Sequence, residues 1–333
     1  MARTARTVAS LPAVHAVQLA EFLEQRWQID AARLYEGLSI DRARLTEPGA
    51  RLHVPEMLRL FDRAQQLTGE PGLPIYFGMQ MRISAHGYLG FAAMTARTLR
   101  EALELAVRFA PTRTTALRLS VEERGKEAAL CIDEAEDLGL ARSAVLVALM
   151  IGIWKIGNDL TGRTLVGRAE LAVPEPAYYA HFRPLFPATI RFGARRTRHV
   201  FERGLLDLPL VTADSAARAL AQQACERELE AMLGRDEPAR VRYVLPLPGG
   251  GVRAAPEVAR LLGCSPRTLK RRLAEHDTTF SALVDAYRSS RAELLLGQGV
   301  LSLDEIAHDL GYSDAANFSR AYRRWFGRAP RRG

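Results

Sequence analysis

Between residues 256 and 327 one short pattern is written twice, and it leaves the fold little freedom. In each copy a short run with inward apolar residues meets a glycine, then a serine, then a second run with basic residues on one side. The first copy covers 256–273. Pro256 suits a first helical position, where its missing N–H costs nothing. Val258, Leu261 and Leu262 are predicted to face inward, Gly263 to end the helix, Ser265 to cap the next and Pro266 to open it. Leu269 and Leu273, four apart, point to a core, while Arg267, Lys270 and Arg271 share the opposite face. The second copy covers 303–327 and opens on Ser302 and Glu305, the spacing of a capping box. Ile306, Ala307 and Leu310 turn inward, Gly311 stops the helix and Ser313 is expected to cap the next. Phe318, Tyr322, Trp325 and Phe326 form its apolar stripe. Asn317 and Arg320 lie on the other side, with Arg324 near them and small Ala315 and Ala316 at the tip. Each copy reads as a helix-turn-helix.

The outward residues suit double-stranded DNA. Arg or Lys bonds guanine O6 and N7 or a phosphate, Asn pairs bidentately with adenine, and a small tip residue meets a thymine methyl or reads nothing. Arg267, Thr268, Lys270 and Arg271 in the first unit, and Ala315, Ala316, Asn317, Arg320 and Arg324 in the second, are the candidate DNA contacts. Between the units, 280–296 repeats Phe280, Leu283, Val284, Tyr287, Leu294 and Leu295 at helical spacing. Such a helix is roughly 25 Å long, a stiff spacer able to hold two reading helices about one DNA turn, ~34 Å, apart. Arg288 and Arg291 on it either form salt bridges or touch phosphate. Residues 251–333 hold 14 Arg and Lys against 9 Asp and Glu, and the preceding 250 hold 32 against 29, so a quarter of the chain carries most of the net charge of +8. That asymmetry fits a phosphate-binding module. Coding bias is the competing reading, since Lys126, Lys155 and Lys270 are the only lysines.

At 333 residues and 48% hydrophobic content the chain suits two domains. The expected fold is an α+β N-terminal sensor domain followed by an all-α C-terminal domain with two helix-turn-helix units joined by a long helix. In the first part, 99–109 reads as an amphipathic helix with Leu99, Ala102, Leu103, Ala106 and Phe109 inward. Residues 115–122 and 128–132 read as a hairpin, 144–156 as a buried helix, and 164–173 and 189–192 as strands. Prolines 174, 176, 184 and 187 confine the segment between them. A helix over 214–233, with Ser215 as cap and Ala217, Leu220, Ala221, Ala224, Leu229 and Met232 on one face, either joins protomers in a homodimer or packs on its own domain. The break at 234–238 divides the chain into 1–213 for sensing and dimerisation, 214–238 as linker helix and hinge, and 239–333 for DNA binding. No apolar run approaches ~18 residues. Arg3 and Arg6 precede no clean apolar stretch, so neither a membrane span nor a signal peptide is expected.

Cys131, Cys225 and Cys264 are few and far apart, which fits a reducing compartment and no disulfide or zinc framework. No GxSxG, GxxxxGK[ST] or HExxH is present, and Gly249, Gly250 and Gly251 are too weak a signal for a phosphate cradle. No enzymatic activity, metal or cofactor is expected. A DNA-targeted enzyme, which would need a zinc cysteine cluster with a reactive thiol, is the remote alternative. An effector pocket needs a few polar groups in an apolar lining, and His86, Tyr88, Arg108, Trp154 and Lys155 are candidates for it. His86 also reads as an ordinary loop histidine. Lys155 either anchors an anionic ligand or snorkels at a helix end.

The stretch EIAHDLGYSDAANFSRAYRRWFGRAP, 305–330, resembles the AraC/XylS family of bacterial transcription regulators, and the resemblance extends from about 239. It places Arg267, Lys270 and Arg271 where that family's first recognition helix meets bases, and Ala315, Ala316, Asn317 and Arg320 where the second does. The N-terminal part, through LTGEPGLPIYFGMQ (67–80), GYLGFAAMTARTLREAL (87–103) and LLDLPL (205–210), is similar to the arabinose-binding-like domain of the branch that includes ornithine- and quorum-linked regulators. The resemblance implies a cytoplasmic, nucleoid-associated regulator of promoter DNA, an activator responsive to a small-molecule effector of unspecified identity, working with RNA polymerase. A repressor, or an effector-independent regulator whose N-terminal domain only dimerises, stands as the alternative.

Overall fold

The computed structural model describes residues 9–331 apart from 48, 187–188, 235 and 248. Arg3 and Arg6 near the start of the chain, Pro187 of the proline cluster, Arg235 of the predicted hinge and Pro248 lie outside the described residues. The chain divides into two compact units, Met1–Leu229 and Glu230–Gly333.

The first unit opens with helices that come in addition to those expected: α1 (Val14–Trp27), α2 (Ala31–Tyr35), α3 (Arg42–Leu45), α4 (Val54–Thr68) and α5 (Leu73–Met79). Strands β1 (Ser10–Pro12) and β2 (Arg51–His53) pair antiparallel beside them. Helical spacing brings Ala16, Leu19 and Leu23 of α1 against Leu60 and Phe61 of α4 in one core. Next come α6 (Gly87–Met94) and α7 (Leu99–Arg113). Thr98 caps α7 by accepting the Glu101 N–H. The buried stripe of α7 is Leu99, Ala102, Leu105 and Phe109, while Leu103 and Ala106 are only half-buried, a rotation from the face predicted.

Strands β3 (Leu117–Arg124) and β4 (Glu127–Glu134) form the predicted hairpin, closed at Gly125, whose φ of +58° favours glycine. Then follow α8 (Arg142–Thr161), β5 (Gly167–Glu170), α9 (Tyr179–Phe182), β6 (Thr189–Arg191), β7 (Thr197–Glu202) and α10 (Ser215–Leu233). The sheet order is β3-β4-β7-β5-β6, antiparallel except for β5 with β6. Strand β7, which the hydrophobic pattern did not mark, is the centre of this sheet. Register sets Leu130 opposite His199 and His199 opposite Ala169, so these three share one face.

Helix α8 packs Leu146, Met150 and Ile151 into a core with Ile75, Ile132 and Leu171. Gly78 on α5 makes this approach possible, because a Cβ there would sit 2.5 Å from the Ala148 carbonyl oxygen. The stretch Gly139–Thr161 is long and apolar enough by composition to cross a membrane. Leu146, Met150 and Ile151 within it belong to this core.

Helix α10 packs on its own unit through Ala221, Ala224, Cys225 and Leu229, and Leu220 and Met232, predicted inward, are exposed. Its cap is Asp214 rather than Ser215: the Asp214 carboxylate accepts the N–H groups of Ala216 and Ala217, both at 2.9 Å. A carboxylate is a stronger acceptor than the hydroxyl beside it. Arg108 pairs with Glu226 at 3.2 Å, and Arg113 pairs with Glu228, joining α7 to α10.

The second unit is helical: α11 (Glu237–Val244), α12 (Ala255–Leu261), α13 (Pro266–Ala274), α14 (Phe280–Gln298), α15 (Leu303–Asp309) and α16 (Ala315–Phe326). It has two separate cores. Val241, Val258, Leu269, Leu273 and Leu283 form one, and Leu295, Ile306, Leu310, Phe318 and Tyr322 belong to the other. Helix α14, about 28 Å long, serves both, through Leu283 at one end and Leu295 at the other. Leu261 is exposed, against expectation, because Ala259 takes the inward position beside Val258.

Candidate nucleic-acid interface

The first reading helix, α13, starts at Ser265, whose Oγ accepts the Thr268 N–H at 3.1 Å, and Pro266 takes the first turn. Leu269 and Leu273 are buried, which fixes the opposite side toward solvent. Arg267 and Lys270 are exposed there, and among the described residues no carboxylate is paired with them. Arg271 is exposed too but is held by Glu275 one turn on, at 2.6 Å. Thr268 is half-buried, its hydroxyl 2.9 Å from that of Ser265.

The second reading helix, α16, is built more elaborately. The capping box on α15 is present, with Glu305 N–H donating to Ser302 Oγ at 3.2 Å and Ser302 N–H donating to the Glu305 carboxylate at 2.8 Å. On α16 the cap is Asp314, not Ser313: its carboxylate accepts the Asn317 N–H at 2.7 Å. That bond, with the Ser313 hydroxyl and others, holds the Asp314 carboxyl below its ordinary pKa range. The Asn317 amide donates to Ser313 Oγ at 2.8 Å and to Asp314 at 2.7 Å, and its oxygen accepts from Arg320. Asn317 and Arg320 therefore sit in a chain of hydrogen bonds at the helix start. Ala316 is exposed and Ala315 half-buried at the tip. Arg324 pairs with Asp285 of α14 at 2.9 Å.

The two heads are tied to each other by groups whose part is long-range. Arg288 donates to the Leu310 carbonyl at 2.9 Å and lies over the Tyr312 ring at 4.6 Å. Arg291 pairs with Asp309 at 3.1 Å, both largely buried. These are the salt-bridge and packing roles rather than phosphate contacts. Gly251 N–H donates to the Asp309 carbonyl at 2.6 Å, and a Cβ on Gly250, whose φ is +111°, would lie 2.9 Å from that same oxygen. The glycine run is a joint between heads rather than a phosphate cradle. Its only sequence signal was three consecutive glycines between two helices.

The five effector candidates do not converge. Trp154 lines a small pocket of about 70 Å³ between α7, α8 and the sheet. His86 lies elsewhere, its ring 5.5 Å from that of His15. Desolvation, then the nearby cationic Arg113, holds His15 at about 4, and desolvation, then His15 and Arg113, holds His86 at about 3. Tyr88 is exposed on α6, Arg108 is paired with Glu226, and Lys155 is paired with Asp159 one turn along α8.

Comparison with known proteins decides the family. The model of the arabinose-binding domain of AraC transcription regulator, N-terminal, matches residues 29–210, more than half of the chain, and a helix-turn-helix domain matches 258–332. The chain belongs to the AraC family of transcription regulators. An ornithine utilization regulator of Pseudomonas aeruginosa is 29% identical over 327 residues, covering 97% of this chain and 96% of that protein. The regulator VirS of Mycobacterium tuberculosis is 28% identical over 274 residues, covering 77% of each. The crystal structure of transcriptional regulator CdpR from Pseudomonas aeruginosa aligns over 94% of this chain and 95% of that one, at 23% identity and a TM-score of 0.47.

This regulator is a DNA-binding helix-turn-helix protein, and the relatives named here are regulators of transcription, not enzymes. Its thiols agree. Burial pushes Cys131 and Cys225 each up to about 11, the opposite of what a nucleophilic cysteine needs.

Proposed function

We propose that this regulator reads two adjacent major-groove segments of promoter DNA, one with α13 and one with α16, and that an effector in the first unit biases that binding. The carrying observation is the shared stiff helix: α14 enters both cores, and Arg288, Arg291 and Gly251 lock the heads in one phase. Arg267, Thr268, Lys270 and Arg271 are the contacts of the first head, and Ala315, Ala316, Asn317, Arg320 and Arg324 those of the second. Residues 239–333 bind DNA, 1–213 sense and dimerise, and 214–238 connect them. Helix α7 supports a route for the signal, since it lines the pocket with Leu99 and Leu103 and grips α10 through Arg108 and Arg113. The protein acts in the cytoplasm on the nucleoid, as a homodimer activating RNA polymerase.

Selection from a random duplex library, followed by footprinting, tests the two-headed reading. The expected product is a pair of short conserved blocks about 10 bp apart. A single block would leave one head without a reading role. Reporter output with and without the gene gives the sign: a fall on deletion marks an activator, a rise a repressor.

A further inference from the structure

The pocket behind Trp154 has a composition that narrows what can occupy it. Leu99 and Leu103 of α7, Ile153 and Trp154 of α8, Leu130 of β4 and Phe201 of β7 make its walls. Among the described residues no charged side chain lines it. The polar groups at its edge are already satisfied: Leu165 N–H donates to Asn158 Oδ1 at 2.8 Å, and the Leu165 carbonyl accepts from Trp154 Nε1 at 3.0 Å. His199 is the one ionisable lining residue. Its Nε2 lies 2.8 Å from the Met150 carbonyl oxygen. A carbonyl only accepts, so Nε2 carries the proton and the neutral ring's Nδ1 is an acceptor.

We propose that this pocket is the effector site and takes a compact, uncharged, largely apolar molecule, aromatic in preference, with a single N–H or O–H donor for His199. The proposal rests on the effector-responsive reading above. A sugar would bury several hydroxyls against walls that offer no partners, and an amino acid such as ornithine would bury charges with no counter-ion. Desolvation holds His199 at about 4, so the ring supplies no cation for a carboxylate near neutral pH. Aromatic edges fit walls that themselves include the rings of Trp154 and Phe201. Val166, 63% exposed, stands at the rim, so its side chain can change without disturbing the core.

The test uses the full chain and four probes: indole, its carbon analogue indene, L-arabinose and L-ornithine. Saturation-transfer NMR and thermal shift are the binding readouts, with reporter output measured in parallel. Indole is expected to bind and raise the melting temperature, with indene about tenfold weaker for want of the donor. Val166→Glu, which places a carboxylate at the mouth, is expected to weaken indole about tenfold or more while the melting curve without probe is unchanged. His199→Phe should remove the preference for indole over indene; should that variant not fold, the indole-to-indene ratio on the native chain still decides. Arabinose or ornithine binding in preference to indole, and weakened by Val166→Glu, would overturn the ligand class and leave the effector reading standing. No binding by indole overturns the proposal. Indole binding without any change in reporter output keeps the pocket assignment and removes the effector role.

Discussion

The two heads of the second unit share a topology and differ in how their side chains are held. The first presents Arg267 and Lys270 from an aliphatic base, exposed and without an internal partner among the described residues. The second presents Asn317 and Arg320 inside a hydrogen-bonded chain that starts at the Asp314 cap, over a base of aromatic rings. Mobile cations suit phosphate, whose position varies little with sequence. Oriented groups suit a base edge, where geometry decides. The contrast implies a division in which both heads read a block but the first supplies more of the affinity and the second more of the selectivity.

The sharpest way to break this contrast is to remove one head. Phe318 is fully buried in the second core, so Phe318→Ala should cost about 3–5 kcal/mol and unfold that head. Hydrogen exchange should then show protection lost across Leu303–Asp309 and Ala315–Phe326 but kept in Pro266–Ala274. If all three lose protection together, the heads are one cooperative body and cannot be assigned separate duties.

A smaller perturbation addresses the joint. Gly250→Ala puts a methyl 2.9 Å from the Asp309 carbonyl at a φ of +111°, a strain of about 1–3 kcal/mol. Both heads should stay folded while affinity for a two-block site falls toward that for one block. Unchanged affinity for both would show that the joint does not set the phase.

Much of this unit was legible in the sequence because its information is short-range. Glycine stops, caps and helical spacing act within one or two turns, and Gly263, Ser265 and the Ser302–Glu305 box stand where the pattern put them. Where two cap formers adjoin, the pattern slipped by one residue, at Asp214 and Asp314, since the sequence does not say which acceptor wins. Strand β7 escaped notice because its residues mix charge and apolarity and it is stabilised by neighbours far along the chain. The effector candidates are scattered, with Trp154 alone of the five at the pocket, for a related reason. His86, Tyr88, Arg108, Trp154 and Lys155 are each plausible by residue type, but convergence in a pocket is set by packing between distant segments. His199, which does line the pocket, carried no local mark at all.

Base reading comes next in size. Arg320→Ala should cost ~1–3 kcal/mol at one base pair and flatten preference there, with little change elsewhere in the site. Asp314→Ala probes the same division less directly. It removes the N-cap, worth about 1 kcal/mol of stability, and releases Asn317 and Arg320 from their fixed positions. Selectivity in a library binding assay should fall with it. A loss of stability alone, with preference intact, would mean that DNA itself orders these side chains and that the network is only a cap.

The smallest effect separates two residues on the same helix. Lys270 and Arg271 are adjacent and exposed, but Arg271 is paired with Glu275 and Lys270 is not. A cation already neutralised by a carboxylate releases fewer counterions when it meets phosphate. Lys270→Ala should therefore lower the slope of log affinity against log salt by about 0.9, uniformly across DNA sequences, and Arg271→Ala should lower it by less. Glu275→Gln should do the reverse, freeing Arg271 and steepening the slope. Titrations between low and moderate salt on specific and random duplexes read all three. If Lys270→Ala instead changed the ranking of DNA sequences, Lys270 would be reading a base rather than gripping the backbone, and the affinity side of the division between the heads would fail at that residue.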